Sequence, residues 1–135
     1  MDDDTLWRAF AAHALTHTDW THEAHLRVAW LHVTRYSIDE AHLRMRAGII
    51  RLNERHGLVE SAERGYFETL TRAWLVLVLA AQRETHADSS TALLAAAPDL
   101  LDRARPLRHY SRQLLETARA RAIFVEPDLE PLPAV

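Results

Sequence analysis

The sequence predicts an all-α protein: an antiparallel bundle of about four main helices, closed by a C-terminal layer of short helices. Only three glycines occur among 135 residues, and no run alternates β-branched and polar residues as a strand would. Composition is that of a globular domain, with 48% hydrophobic and 26% charged residues. We expect one domain over residues 1–125 and an extended tail, residues 126–135, packed on it.

The first two helices are indicated by their starting residues and their apolar stripes. Acidic residues stabilise a helix N-terminus, so the first helix is expected to begin near Asp4 or Thr5. Its inner stripe would be Leu6, Phe10, His13 and Ala14. The stretch from Trp20 to Tyr36, WTHEAHLRVAWLHVTRY, has helical periodicity throughout, with Asp19 or Thr21 as its cap.

The third and fourth helices are the longest predicted elements. A capping box, Ser37 to Glu40, starts the third helix at Ile38, and Gly57 is expected to end it. Its inner stripe mixes polar and apolar groups: His42, Met45, Ile49, Leu52, Asn53 and His56. The fourth helix is expected from Tyr66 to about Arg83.

Short helical pieces and a proline-rich tail are expected after residue 86. Ser89 or Ser90, Ser111 and Thr117 are suited to cap short helices, and Pro98 to open a turn. The tail, EPDLEPLPAV, contains three prolines and is therefore expected to be extended. Its leucines, Leu129 and Leu132, are expected to hold it against the bundle.

The histidines of the second helix are the main chemical signal in the sequence. His22, His25 and His32 lie on or beside its apolar face, because a helix turns by about 100° per residue. Histidines three residues apart can share one metal ion. Glu68 is expected to point inward from the fourth helix, so His22, His25 and Glu68 form a candidate site for one divalent transition metal.

Two other interpretations of these residues stay open. The histidines are equally suited to be polar groups at the edge of the core, hydrogen-bonded to Glu68, Thr71 or the backbone. Alternatively, His25 oriented by Glu68 would be a general base without a metal. His22-Glu23-Ala24-His25 is neither the zinc-protease H-E-x-x-H signature nor the Glu-x-x-His pattern of di-iron bundles.

Composition excludes several kinds of chemistry and partner. The chain has no cysteine, and all sixteen basic residues are arginine, so thiolate, disulfide and lysine chemistry are absent. A net charge of −3 without a basic patch argues against nucleic-acid binding. The acidic N-terminus is unlike a signal peptide, and no apolar run is long enough to span a bilayer. We expect a cytoplasmic protein.

Five runs of the sequence resemble an uncharacterised family of small all-helical bacterial proteins. They are WTHEAHLRVAWLH (20–32), RAGIIRLNERHG (46–57), GYFETLTRAW (65–74), PLRHYSRQLL (106–115) and FVEPDLEPLP (124–133). The resemblance covers most of the chain and implies a helical domain whose polar signature includes His22, His25, Glu68 and His109. It implies no activity. Members typically carry histidine where this chain has Phe67.

These observations predict a pocket between the second and fourth helices that holds a divalent metal or a small polar ligand. His22, His25 and Glu68 would bind it, supported by Thr71, Phe67, His109 and His32. One alternative is a non-catalytic interaction module that forms a homodimer through Trp7, Trp30 and Trp74. Another is a pseudo-enzyme that has lost a metal ligand at Phe67. The sequence does not choose a reaction or a substrate.

Overall fold

A computed structural model describes all residues, 1–135, and contains helices but no strand. The predicted all-α class is therefore confirmed, while the four-helix antiparallel arrangement stays a prediction. None of the helices combines the length and the apolarity needed to cross a membrane. The α-helices are α1 (Asp3–Ala11), α2 (His22–Val33), α3 (Ile38–Arg55), α4 (Glu68–Thr85), α5 (Ser90–Ala96), α6 (Arg112–Leu115) and α7 (Ala118–Ala122). Two 3-10 helices, Pro98–Leu101 and Arg105–Arg108, lie between α5 and α6.

Side-chain caps begin most of the helices at the positions that the sequence indicates. A hydroxyl at each N-cap accepts a hydrogen bond from the amide three residues on, which satisfies an otherwise unpaired donor. The capping residues are Thr21, Ser37, Ser89, Ser111 and Thr117. These predicted starts are confirmed because capping depends only on residues that are close in sequence.

Several helix limits differ from the expected ones. Asp2 caps α1, so this helix begins at Asp3. It ends at Ala11 because His13 takes a left-handed backbone conformation, with φ of 54°. Ala14 is consequently exposed, and Leu15 occupies the core in its place. The helix predicted from Trp20 to Tyr36 is shorter at both ends, and α4 begins two residues later than expected.

Helix α2 is the centre of the molecule. Eight of its twelve residues are buried, which is the pattern of a helix covered on most sides. It packs against α1, α3, α4 and α5. Most side chains of α2 are therefore in contact with neighbouring elements.

Gly48 allows a close contact between α1 and α3. A Cβ atom at this position would lie 2.2 Å from Cζ of Phe10, closer than atoms can approach without displacement. The Phe10 ring stacks in turn on Trp20, with ring centroids 5.6 Å apart. Glycine at this position thus lets Phe10 support a tryptophan that belongs to the candidate site.

The C-terminal tail is held by backbone and polar contacts. Ser111 donates from its amide and hydroxyl to the Asp128 carboxylate at 2.8 and 2.6 Å. Tyr110 donates its hydroxyl to the Val125 carbonyl at 2.8 Å, and the Leu129 amide donates to the His109 carbonyl at 2.9 Å. Of the two leucines expected to hold the tail, Leu129 is 57% exposed and does not hold it, whereas Leu132 is half-buried.

The tryptophans on which the predicted homodimer rests are occupied within the chain. Trp30 is buried and donates its Nε1–H to Oε1 of Gln82 at 2.7 Å. Trp7 packs on His32, with ring centroids 4.9 Å apart, and is covered by the Arg35 guanidinium. Trp74 faces a cavity. Trp7 and Trp30 are thus packed within the chain, and the homodimer stays a prediction.

Candidate functional site

A cavity lies among α2, α3, α4 and the segment that precedes α4. Its volume is about 550 Å³, which is within the usual range for small-molecule sites. Aromatic and aliphatic side chains form most of its wall, including Trp20, Leu26, Met45, Ile49, Leu58, Phe67, Leu70, Trp74 and Leu75. The polar side chains of the wall are those of His17, His22, His25, Asn53, Tyr66, Thr71 and Arg103.

His25 presents an unused hydrogen-bond acceptor. Its Nδ1 lies 2.7 Å from the Thr21 carbonyl oxygen. Because a carbonyl only accepts, Nδ1 carries the proton and Nε2 has a free lone pair with no hydrogen-bond partner in the chain. The ring stacks on Trp20 with centroids 3.7 Å apart. Burial lowers the pKa of His25 to about 4, so the ring is neutral at pH 7.

His22 is also anchored through one ring nitrogen, but the anchored nitrogen is Nε2 and not Nδ1. Its Nε2–H donates to the Leu100 carbonyl oxygen, 3.0 Å away, so its Nδ1 is the free acceptor. The ring meets Trp74 edge-on, with centroids 4.9 Å apart. Burial lowers the pKa of His22 as well. The cavity therefore contains two neutral imidazoles, each anchored by one nitrogen and available through the other.

Phe67 and Thr71 complete the wall near α4. Thr71 donates its hydroxyl to the Phe67 carbonyl at 2.9 Å. The Arg121 guanidinium covers the Phe67 ring, 4.4 Å from its centroid. Arg121 also donates to the carbonyl oxygens of Ala62, Glu63 and Gly65 at 3.0 to 3.2 Å. One arginine thus fixes both the segment before α4 and the ring that faces the cavity.

Glu68 belongs to a different group of side chains. Its carboxylate accepts a hydrogen bond from His42 Nε2 at 2.7 Å and from the Tyr66 hydroxyl at 2.6 Å. Arg46 forms an ion pair with the same carboxylate. We call His42, Arg46, Tyr66 and Glu68 the Glu68 cluster. Its carboxylate is only 13% exposed and has donors for both oxygens.

The protonation states in the Glu68 cluster follow from these contacts. Burial acts to raise the pKa of Glu68, but hydrogen bonds from Tyr66, Arg46 and His42 together lower it. Burial lowers the pKa of His42, although Glu68 opposes this shift. The cluster is therefore a carboxylate paired with the Arg46 cation, with a neutral His42 and a protonated Tyr66 as additional donors.

The three residues predicted to bind a metal are thus divided between two places. His22 and His25 line the cavity. Glu68 instead bonds to the other members of the Glu68 cluster and makes no hydrogen bond with His25. The predicted His25–Glu68 acid–base pair is not formed. No group of three or more histidine, aspartate or glutamate side chains is placed to hold a metal ion.

The supporting residues are divided in the same way. Thr71 and Phe67 line the cavity as expected. His32 does not, because it is buried between Trp7 and Phe10. His109 lies at the tail, where Nε2 accepts from Arg105 at 2.8 Å and Nδ1 faces the Glu130 and Pro131 carbonyls.

The predicted site residues did not include four polar residues of the cavity wall: His17, Asn53, Tyr66 and Arg103. Tyr66 lies two residues before α4, and its neighbour Phe67, which was among the predicted site residues, was the available signal. Arg103 follows the 3-10 helix at Pro98–Leu101, and nothing in its neighbouring sequence indicates a cavity.

Comparison of the chain with protein-family models, with curated proteins and with solved structures finds no match.

Proposed function

We propose that the protein binds a small organic molecule in the cavity between α2, α3 and α4. The observation that carries this proposal is the pair of anchored, neutral histidines that line a mainly apolar cavity and each keep one ring nitrogen without a hydrogen-bond partner. A ligand suited to it has a flat apolar body, which packs against Trp20, Trp74 and Phe67, and a hydrogen-bond donor for His22 or His25.

Binding suits these histidines better than base catalysis does. A general base works best when its pKa is near the working pH. The pKa of His25 is about 4, so the ring is a weak proton acceptor at neutral pH. A neutral imidazole nevertheless accepts a hydrogen bond well, and burial of the site strengthens that bond.

The proposal is tested with two probes that differ in one hydrogen-bond donor. We expect 2-naphthol to bind more tightly than 2-methoxynaphthalene, which has the same ring system but no donor. The expected difference is about fivefold, the effect of one net hydrogen bond. Isothermal titration calorimetry measures both affinities, and chemical shifts of the indole N–H groups of Trp20 and Trp74 locate the probes.

His25→Phe and His32→Phe form a matched pair of variants for this test. Both histidines are on α2 and face the carbonyl four residues earlier through Nδ1, but only His25 lines the cavity. H25F should lose part of the preference for 2-naphthol, because only the His22 acceptor remains, and H22F/H25F should bind the two probes equally, while H32F keeps the full preference. Absence of binding by either probe, and by a library of neutral aromatic fragments, would exclude the proposed function.

A divalent metal ion held by His22 Nδ1 and His25 Nε2 is a second candidate. Metal-binding histidines usually donate their other ring N–H to a carbonyl or carboxylate, and both of these histidines do so. Water or an organic ligand would supply the remaining positions. Elemental analysis of untagged protein tests this candidate. It is supported if the wild type contains about one equivalent of zinc, iron or manganese and H25F contains none. Metal-free protein that also fails to bind these ions in titrations rejects it.

A further inference from the structure

We infer that the ligand of the cavity carries an anionic group, a carboxylate in the simplest case, which pairs with Arg103 at the rim. The inference rests on the proposed function and specifies the class of its ligand: an aromatic or similarly flat organic acid. It follows from the charges around the cavity, from the position of Arg103 and from the contacts that Arg103 lacks.

The charges of the cavity wall have one sign. No aspartate or glutamate contributes to the wall, and Arg103 is its only permanently charged residue. An organic cation would find no counter-ion there and would be repelled by Arg103, whereas an anion would find a partner. The wall therefore selects for negative charge in a ligand.

Arg103 has no partner in the chain. Seven other arginines donate hydrogen bonds or form ion pairs with acidic, carbonyl or hydroxyl groups: Arg27, Arg35, Arg44, Arg46, Arg72, Arg105 and Arg121. Arg103 makes none of these contacts, although it is the arginine that lines the cavity. Its guanidinium is free to bind a carboxylate through two parallel hydrogen bonds.

The Arg103 charge acts on both histidines of the site. Burial is the main cause that lowers the pKa of His22 and of His25, and the positive charge of Arg103 lowers each further. Arg103, His22 and His25 also line one cavity, so one ligand can contact Arg103 and a histidine together. Asp102, its neighbour, raises the pKa of His22, but Asp102 accepts from the Ala104 amide at 2.9 Å and lies outside the cavity wall.

Three probes with one ring system and different charges test this inference. They are 2-naphthol, 6-hydroxy-2-naphthoate and 6-(aminomethyl)-2-naphthol, each measured by calorimetry at pH 7.5. We expect the carboxylate to bind about fivefold more tightly than 2-naphthol, as one partly exposed ion pair predicts, and the amine to bind more weakly. The advantage of the carboxylate should shrink as salt is raised.

Arg103→Gln and Arg108→Gln are the matched variants. Arg108 is also exposed and without a partner but does not line the cavity. R103Q should bind the carboxylate no better than 2-naphthol, while R108Q should keep the wild-type preference for the carboxylate. Equal affinities of carboxylate and naphthol in the wild type, or an unchanged preference in R103Q, overturn the inference and leave the proposed function intact. Failure of all three probes, with no neutral aromatic binder found, removes both.

Discussion

Two groups of polar side chains lie close together in this molecule, and their hydrogen bonding differs. In the Glu68 cluster, one buried carboxylate receives bonds from His42, Tyr66 and Arg46, and both of its oxygens are used. In the cavity, His22 and His25 each use one nitrogen for an anchor and leave the other free.

This difference separates a structural group from a binding group. A carboxylate whose two oxygens both have donors within the chain stabilises the fold and is not available to a ligand. A side chain that is held at one end and free at the other is oriented before a ligand arrives, which reduces the entropy lost on binding. Tyr66 belongs to both groups, because it lines the cavity and donates to Glu68.

The largest expected effect is a loss of stability when the carboxylate at the centre of the Glu68 cluster is removed. Glu68→Ala leaves Arg46 without its counter-ion and His42 and Tyr66 without an acceptor. We expect the free energy of unfolding to fall by about 3 kcal/mol, as when one member of a buried ion pair is removed. Urea denaturation at pH 7.5 measures this change.

Glu40→Ala is the control for this variant. Glu40 forms an ion pair with Arg44 four residues later, but both side chains are about half exposed. Its loss should cost about 0.5 kcal/mol or less. If E68A were as stable as E40A, the Glu68 cluster would not be the structural group described here.

The second prediction concerns the pH dependence of stability and depends on His25 in the cavity. The pKa of His25 is about 4 in the folded protein and 6.5 in the reference state, so between these values the unfolded chain binds more protons. Stability contributed by the neutral ring is present above pH 6.5 and is lost as the pH falls toward 4. At pH 5, His25 alone should account for a loss of about 2 kcal/mol.

Comparison with H25F isolates this contribution. The pKa values of His22, His32 and His42 are also lowered, but these residues act in the same direction in both proteins. The difference in unfolding free energy between pH 7.5 and pH 5 should therefore be about 2 kcal/mol smaller in H25F. Equal differences in the two proteins would show that His25 is not held neutral by the fold.

The third prediction tests whether His22 and His25 become part of a metal site when a third metal-binding side chain is introduced. Phe67 lines the same cavity as His22 and His25. Three protein ligands are the usual set of an open zinc site, so Phe67→His should tighten Zn²⁺ binding by at least about tenfold, or 1.4 kcal/mol. Competition with a zinc chelator measures this affinity. An unchanged affinity would end the argument that this chain lost a metal ligand at this position.

The contrast between the two groups also shows what the sequence predicted and why. Helix starts at Thr21, Ser37, Ser89 and Ser111 were correct, because a cap needs only its own next three residues. The first helix was expected to include His13 and Ala14, but α1 ends at Ala11, and a left-handed turn at His13 is followed by the buried Leu15. The sequence predicted features that depend on neighbouring residues, such as helix caps. It did not predict features that depend on the balance between local and distant contacts, such as the end of α1.

The candidate site was predicted in part for the same reason. Helical periodicity indicated inward faces for His22, His25 and Thr71, which line the cavity, and Phe67 lines it from the extended segment before α4. It could not decide which inward-facing groups meet, and Glu68 pairs with His42 on α3 instead of His25 on α2. Periodicity fixes the direction of a side chain relative to its own helix, but partners depend on how the helices are rotated and spaced.

The smallest expected effect comes from Tyr66, the residue shared by the two groups. Tyr66→Phe removes one of the donors to Glu68 while the ring remains in the cavity wall, so we expect a loss of about 1 kcal/mol in unfolding free energy. Affinity for 2-naphthol should stay within about twofold, because the acceptors for the probe are on His22 and His25. Tyr36→Phe is the control, since the Tyr36 ring packs on Trp7 and His32 and its hydroxyl makes no hydrogen bond in the chain. If Y66F had normal stability but lost naphthol binding, the Tyr66 hydroxyl would be a ligand contact and not a structural member of the Glu68 cluster.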